Sequence, residues 1–471
     1  MIFSSSTFLF LFLPIVFVLY FLIDRFIPCF RNLFLCIASL LFYAFGEPRF
    51  VCILIVSILV NWGIALGIDK NSKMFIRKML LAFGITLNLG LLITYKYLNF
   101  VTYNINKLVP KVEVTSIALP IGISFFTFQA MSYVIDVYRG EEAQLNPVNI
   151  GLYISLFPQL IAGPIVRYKS ISNEIRDRKT DSDDITDGIC CFLRGLCKKI
   201  IVANNLALVA DFTFSINENR LSILLAWLGA LAYTLQIYFD FSGYSDMAVG
   251  LGRIFGFHFS KNFDYPYMAK SVTDFWRRWH ISLSEWFRDY VYIPLGGNKG
   301  GWKAQFRNLL VVWLLTGIWH GANWTFIVWG LVYFLMLVIE KFIIHPENFK
   351  HQYVIISYRI GVFVAVLFCW VLFRSDSIEQ SYRYIKSMFG LYGNPLIDLH
   401  LFWYSREYMV FLIMGLLLST YIIRRLINTI RRVVGNLMYE ILRGVGYVVS
   451  FVICVSYLVT GAHNPFIYFN F

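Results

Sequence analysis

Long stretches of apolar residues without charge recur along this chain, and each approaches the roughly 20 residues that a helix needs to cross the hydrocarbon layer of a bilayer. The first runs over residues 8–23 and meets no charge before Asp24. It lacks the basic segment that opens a cleavable secretory signal, so it is expected to remain as a first span. Further spans are expected at 33–45, 51–68, 79–98, 117–137, 189–212, 223–255, 324–344, 354–373, 410–423 and 445–460. The stretches 150–165 and 309–320 are too short to span and read as re-entrant segments, tolerated where protein surrounds the backbone. Strand-like alternation is absent, which argues against a membrane β-barrel. With no water at depth, helices are the other way to satisfy backbone polar groups. The expectation is an all-α polytopic integral membrane protein with about 11 to 13 membrane-embedded helices, forming a single domain over 1–471 with its catalytic core at about 230–330.

The polar positions supply orientation. Lys70, Lys73, Arg77 and Lys78 form one basic cluster, and Arg424, Arg425, Arg431, Arg432 and Arg443 another. The positive-inside rule puts both in the cytoplasm. Threading the spans then places 167–199 and 253–307 inside as well, and both Met1 and Phe471 outside. Residues 180–187 read as a solvated linker closed by a helix N-cap at Asp187, and 375–408 as a modest external loop.

Composition fits this picture: 58% of residues are apolar, only 15% are charged, and mean hydropathy is +0.64. Ordinary soluble domains carry about a quarter charged residues. The net charge of +13 is spread over loops between apolar segments, so it reads as topogenic and no nucleic-acid partner is expected. The eight cysteines contain neither a CxxC pair nor a zinc-type spacing, so neither a disulfide nor a metal is assigned.

Ionisable residues interrupt apolar sequence most densely between 239 and 329, where membrane burial would disfavour them unless they serve a purpose. Over 271–294, helical spacing gathers Trp276, Trp279, His280, Leu283, Trp286 and Phe287 on one face, opposite Arg278, Ser282, Glu285 and Asp289. From these residues alone His280 serves equally as the hydrogen-bonded imidazole of an interfacial aromatic belt or as a site residue. His320 is the stronger candidate. A helical run aligns it with Trp313, Gly317 and Trp324, and Gly317 with Gly321 lets another helix approach closely. A neutral imidazole there can take a hydroxyl proton as that oxygen attacks an acyl carbonyl, then return it to the leaving group. No GxSxG is present and no cysteine adjoins either histidine, which favours direct transfer over an acyl-enzyme.

Asp240 reads first as part of a buried network fixing helix packing; orienting a histidine or pairing with Arg277 is the functional alternative. Trp276, Trp279 and Asn323 are candidates for supporting or lining the site. The glycine-rich loop 295–301 does not match a phosphate-binding GxxxxGK[ST], although Arg277, Lys299, Lys303 and Arg307 are placed to attract an anionic donor.

Several segments together resemble the membrane-bound O-acyltransferase (MBOAT) family, in the branch with alginate O-acetyltransferases. They are Met1-Ile2-Phe3-Ser4-Ser5, the Phe157-Pro158-Gln159-Leu160-Ile161-Ala162-Gly163-Pro164-Ile165 segment, the Gln236 to Asp246 cluster, Asp274-Phe275-Trp276-Arg277-Arg278-Trp279-His280, Tyr292-Ile293-Pro294-Leu295-Gly296-Gly297-Asn298, and Gly317-Ile318-Trp319-His320-Gly321. The resemblance implies a ring of helices around a central catalytic tunnel. His320 matches the family's invariant histidine and His280 its second position, which is asparagine or histidine. It further implies a bacterial cytoplasmic membrane protein that moves acetyl from a cytoplasmic thioester, acetyl-CoA, toward an exported polysaccharide such as alginate, cellulose or peptidoglycan. An extracytoplasmic SGNH-hydrolase-like partner goes with that route. Transfer of D-alanyl from a carrier protein to teichoic acid is the nearest alternative. A transporter or flippase is the alternative from another class, although no internal repeat supports it.

Overall fold

A computed structural model describes residues 1–461 and 463–467, and the expected external position of Phe471 lies outside the described residues. The described chain is helical, and nine of its helices are long and apolar enough to cross a membrane. They are Phe8–Phe26, Pro28–Gly46, Val51–Lys70, Met74–Leu108, Ile223–Ile254, Trp324–Ile344, Gln352–Arg374, Leu399–Leu418 and Asn436–Val459. This is a multi-pass membrane protein of the all-α class. Its exposed apolar side chains, such as Val448 and Val452 on the last span, are those that lipid would cover.

The chain groups into two compact units, residues 1–192 with 245–260, and 193–244 with 261–471. In the first unit, two expected boundaries move. The span expected at 117–137 is a helix only over Ile123–Tyr138, and it is buried almost throughout. Its start is set by Gly122, at φ +78°, where an added Cβ would come 2.8 Å from the Leu160 carbonyl oxygen. Residues 150–165 form a buried, broken pair of helices, Pro147–Ser155 and Phe157–Leu160, as a re-entrant segment requires. The linker expected at 180–187 is already helical. Asp181 caps Ser182–Cys197 by accepting from the Asp184 amide at 2.7 Å, ahead of Asp187, and Asp184 and Asp187 both pair with Arg253.

The second unit departs further from the hydropathy pattern. The segment 309–320 is not a short re-entrant piece but the last part of a 20-residue helix, Gly301–His320, whose early turns carry Lys303 and Arg307. It packs on Trp324–Ile339 with no room for side chains at the crossing, because a Cβ on Gly317 would lie 2.4 Å from the Phe326 carbonyl oxygen. The external loop expected at 375–408 contains the helix Ile378–Met388, capped by Ser377, and the start of Leu399–Leu418. The span expected at 410–423 is therefore displaced toward the N-terminus. A separate helix follows it at Ile422–Val434.

Candidate active site

The segment expected as one aromatic-faced helix breaks at its histidine. Val272–Arg278 and Ile281–Phe287 are separate seven-residue helices, and His280 between them is left-handed, at φ 44° and ψ 55°. Such a conformation is costly for a residue with a Cβ and persists where surroundings impose it. Asn262 is what imposes it. Its carbonyl accepts from the Ile281 amide at 2.9 Å, and its side-chain oxygen faces His280 Nδ1 at 3.2 Å while accepting from the Ser282 amide at 3.1 Å and hydroxyl at 3.0 Å. An amide oxygen only accepts, which assigns the proton to Nδ1 and leaves the Nε2 lone pair as the basic site. Nε2 is buried and meets no hydrogen-bond partner among the described residues. Burial pushes the imidazole down to about 3, so it is neutral at physiological pH.

His320 closes the helix Gly301–His320 and is likewise buried, at 3% exposure. Its ring is walled by Trp329 at 5.0 Å, Phe373 at 5.2 Å and Trp319 at 5.0 Å between centroids. The indole of Trp319 also contacts the ring of His280, at 5.9 Å. One aromatic side chain thus adjoins both histidines that the sequence singled out. Trp313, Gly317 and His320 share a buried face as expected, but Trp324 does not: the chain turns at Gly321, and Trp324 opens the next helix with 52% exposure.

A cavity of about 1250 Å³ opens beside this face, lined by Trp276, Arg277, Trp313, Thr316, Glu340 and Lys341 among others. Thr316 and Trp313 lie about one and two turns before His320 on the same helix. Trp276 packs edge-on against Trp313, at 4.7 Å. The wall that bears Trp276 is held by Glu340, a buried carboxylate that accepts from the Val272 amide at 2.6 Å, the Thr273 amide at 2.8 Å and the Tyr358 hydroxyl at 2.9 Å. Nothing in the sequence pattern drew attention to Glu340 beyond its charge at the end of an apolar run. Trp319, Trp329 and Phe373 were missed for a different reason, since aromatic residues in spans are common and their convergence is tertiary.

Other candidates land elsewhere. Asp240 forms a buried ion pair with Lys199 at 2.5 Å and accepts from the Ile467 amide at 2.9 Å, so it neither orients a histidine nor holds Arg277. Arg277 lines the cavity instead. Trp279 is packed between Phe263 and Trp370 and supports the wall without lining the cavity. Asn323 caps the helix Trp324–Ile339 by accepting from the Thr325 amide, and its Nδ2 donates to the Asp376 carbonyl. Lys299 and Lys303 are exposed and not part of the cavity lining.

The profile of the membrane-bound O-acyltransferase family matches residues 37–375. The chain belongs to that family. It is an O-acyltransferase of the membrane. The acyltransferase is 42% identical to the probable alginate O-acetylase of Pseudomonas syringae pv. tomato over 85% of this chain and 77% of that protein. It is 36% identical to the peptidoglycan O-acetyltransferase of Helicobacter pylori over 85% of this chain and 82% of that protein. A teichoic acid D-alanyltransferase of Bacillus subtilis shares 31% identity over 47% of the acyltransferase and 59% of the relative.

Proposed function

We propose that this acyltransferase takes acetyl from a cytoplasmic thioester, acetyl-CoA, for O-acetylation of an exported polysaccharide, with His320 as general base and His280 as its partner on the donor side. In the step at His320, a hydroxyl oxygen attacks the thioester carbonyl carbon while the imidazole takes the hydroxyl proton. The carbon–sulfur bond then breaks and the proton returns to the thiolate. The observation that carries this reading is the burial of both imidazoles against the ring of Trp319, on segments that also wall the cavity through Trp276, Trp313 and Thr316. Arg277 and Lys341 in the cavity wall suit the phosphates of a thioester donor. The basic clusters support a cytoplasmic position for the loop 295–301 under the positive-inside rule, with the bacterial inner membrane as the membrane of this reading. The acceptor hydroxyl belongs either to the polysaccharide or to an extracytoplasmic SGNH-hydrolase-like transferase that passes the acetyl on.

Proton NMR of base-released acyl groups from surface polysaccharide tests this in cells carrying the wild-type chain or His320→Ala. Acetate is expected from the wild type and none above background from the variant, with membrane abundance unchanged. Retained O-acetylation removes His320 from the reaction. Release of D-alanine would favour the second reading, D-alanyl transfer, which is supported by the teichoic acid relative over less than half of this chain.

A further inference from the structure

The helix Ile422–Val434 joins two membrane spans, Leu399–Leu418 and Asn436–Val459, yet buries none of its own residues. Its 13 residues reach about 20 Å, short of the 30 Å needed to cross. At 100° per residue, Ile422, Leu426, Ile427, Ile430, Val433 and Val434 fall within an arc of about 140°. Arg424, Arg425, Arg431 and Arg432 fall on the opposite side, and the helix has no acidic residue. The apolar side is uncovered by the rest of the protein, with Leu426 53% and Val433 79% exposed. Both ends are tied to spans, which keeps the helix at the boundary where an apolar side sinks among acyl chains and a basic side meets headgroups. Tyr421, the residue before it, accepts from the Arg278 guanidinium at 2.6 Å, two residues from His280.

We propose that this helix lies in the plane of the membrane surface on the side of the basic loops, and that its four arginines bind anionic phospholipid headgroups. Arginine suits this role, since its planar fork grips phosphate oxygens in pairs. The occupant is lipid because the apolar side is continuous with the membrane on both flanks; an acidic protein would leave that side uncovered.

The test uses the full chain in mixed micelles or nanodiscs with spin-labelled phosphatidylglycerol or phosphatidylcholine, and reads the motionally restricted lipid by electron paramagnetic resonance. The wild type is expected to prefer phosphatidylglycerol severalfold at low salt, a preference that weakens as salt rises. Arg424→Gln, Arg425→Gln, Arg431→Gln and Arg432→Gln together should bring the preference close to one, while lysine at all four positions should retain most of it. An unchanged preference in the glutamine variant overturns the proposal, because the remaining basic cluster at Lys70, Lys73, Arg77 and Lys78 would then account for it. No preference in the wild type also overturns it, and leaves the surface to an acidic protein. The measurement is indifferent to acyl transfer, so its failure is distinct from failure of the reaction assigned to His320.

Discussion

Glu340 is a buried carboxylate that meets three donors at once: two amides that open the helix before His280 and one tyrosine hydroxyl. Its role is to position, since it touches the cavity wall and not the imidazoles. Each buried donor left without an acceptor costs about 1–3 kcal/mol. Glu340→Ala is therefore expected to lower the thermal midpoint in detergent and reduce kcat, by letting the Trp276 wall shift. Glu340→Gln keeps one acceptor and should fall between the two; equal loss in both variants would point to charge and not to the clasp. The Lys199–Asp240 pair makes a contrasting case. Removing one partner of a buried pair costs about 3–5 kcal/mol, whereas replacing both with apolar residues is often neutral. Lys199→Met should thus destabilise the protein more than Lys199→Met with Asp240→Leu, and thermal unfolding of the three proteins checks the order.

At the scale of elements, the decisive feature is the hairpin formed by Gly301–His320 and Trp324–Ile339. Gly317 and Gly330 meet at its crossing, and each would place a Cβ within about 2.5 Å of a carbonyl of the other helix. Overpacking a fitted contact costs about 1–3 kcal/mol, so Gly317→Val should lower stability and pull His320 from its ring wall, read as lost acyl transfer with reduced membrane abundance. This closeness was legible in the spacing of small residues beside His320. The break at His280 was not, because an amphipathic pattern continues through it and the left-handed turn depends on Asn262, 18 residues away in sequence. Likewise the helix Ile422–Val434 hides in hydropathy, which averages its arginines with its isoleucines, while its angular pattern is plain. Local periodicity reveals which residues share a face. It does not reveal which distant side chain completes a turn or a wall.

At the scale of the whole molecule, pH acts on the basic and acidic loops. His258 bridges Glu174 and Asp184; burial opposes its charge, but the two carboxylates raise its pKa above the ordinary 6.5. A raised pKa stabilises the folded state fully below the unfolded value and loses that contribution as pH rises through the folded one. Hydrogen exchange in residues 174–187, corrected for the intrinsic rate, should therefore quicken as pH rises from about 6 to about 8, and His258→Gln should flatten the response.

The packing of Trp319, Trp329 and Phe373 around His320 carries one more consequence under the proposed reaction. A protein that hands an acyl group across a charged membrane must keep protons from following it, or it would dissipate the gradient that the cell maintains. Rings packed around a buried imidazole keep water away from that point of the fold. Under that reaction, the same side chains would serve as electrical insulation beside the imidazole.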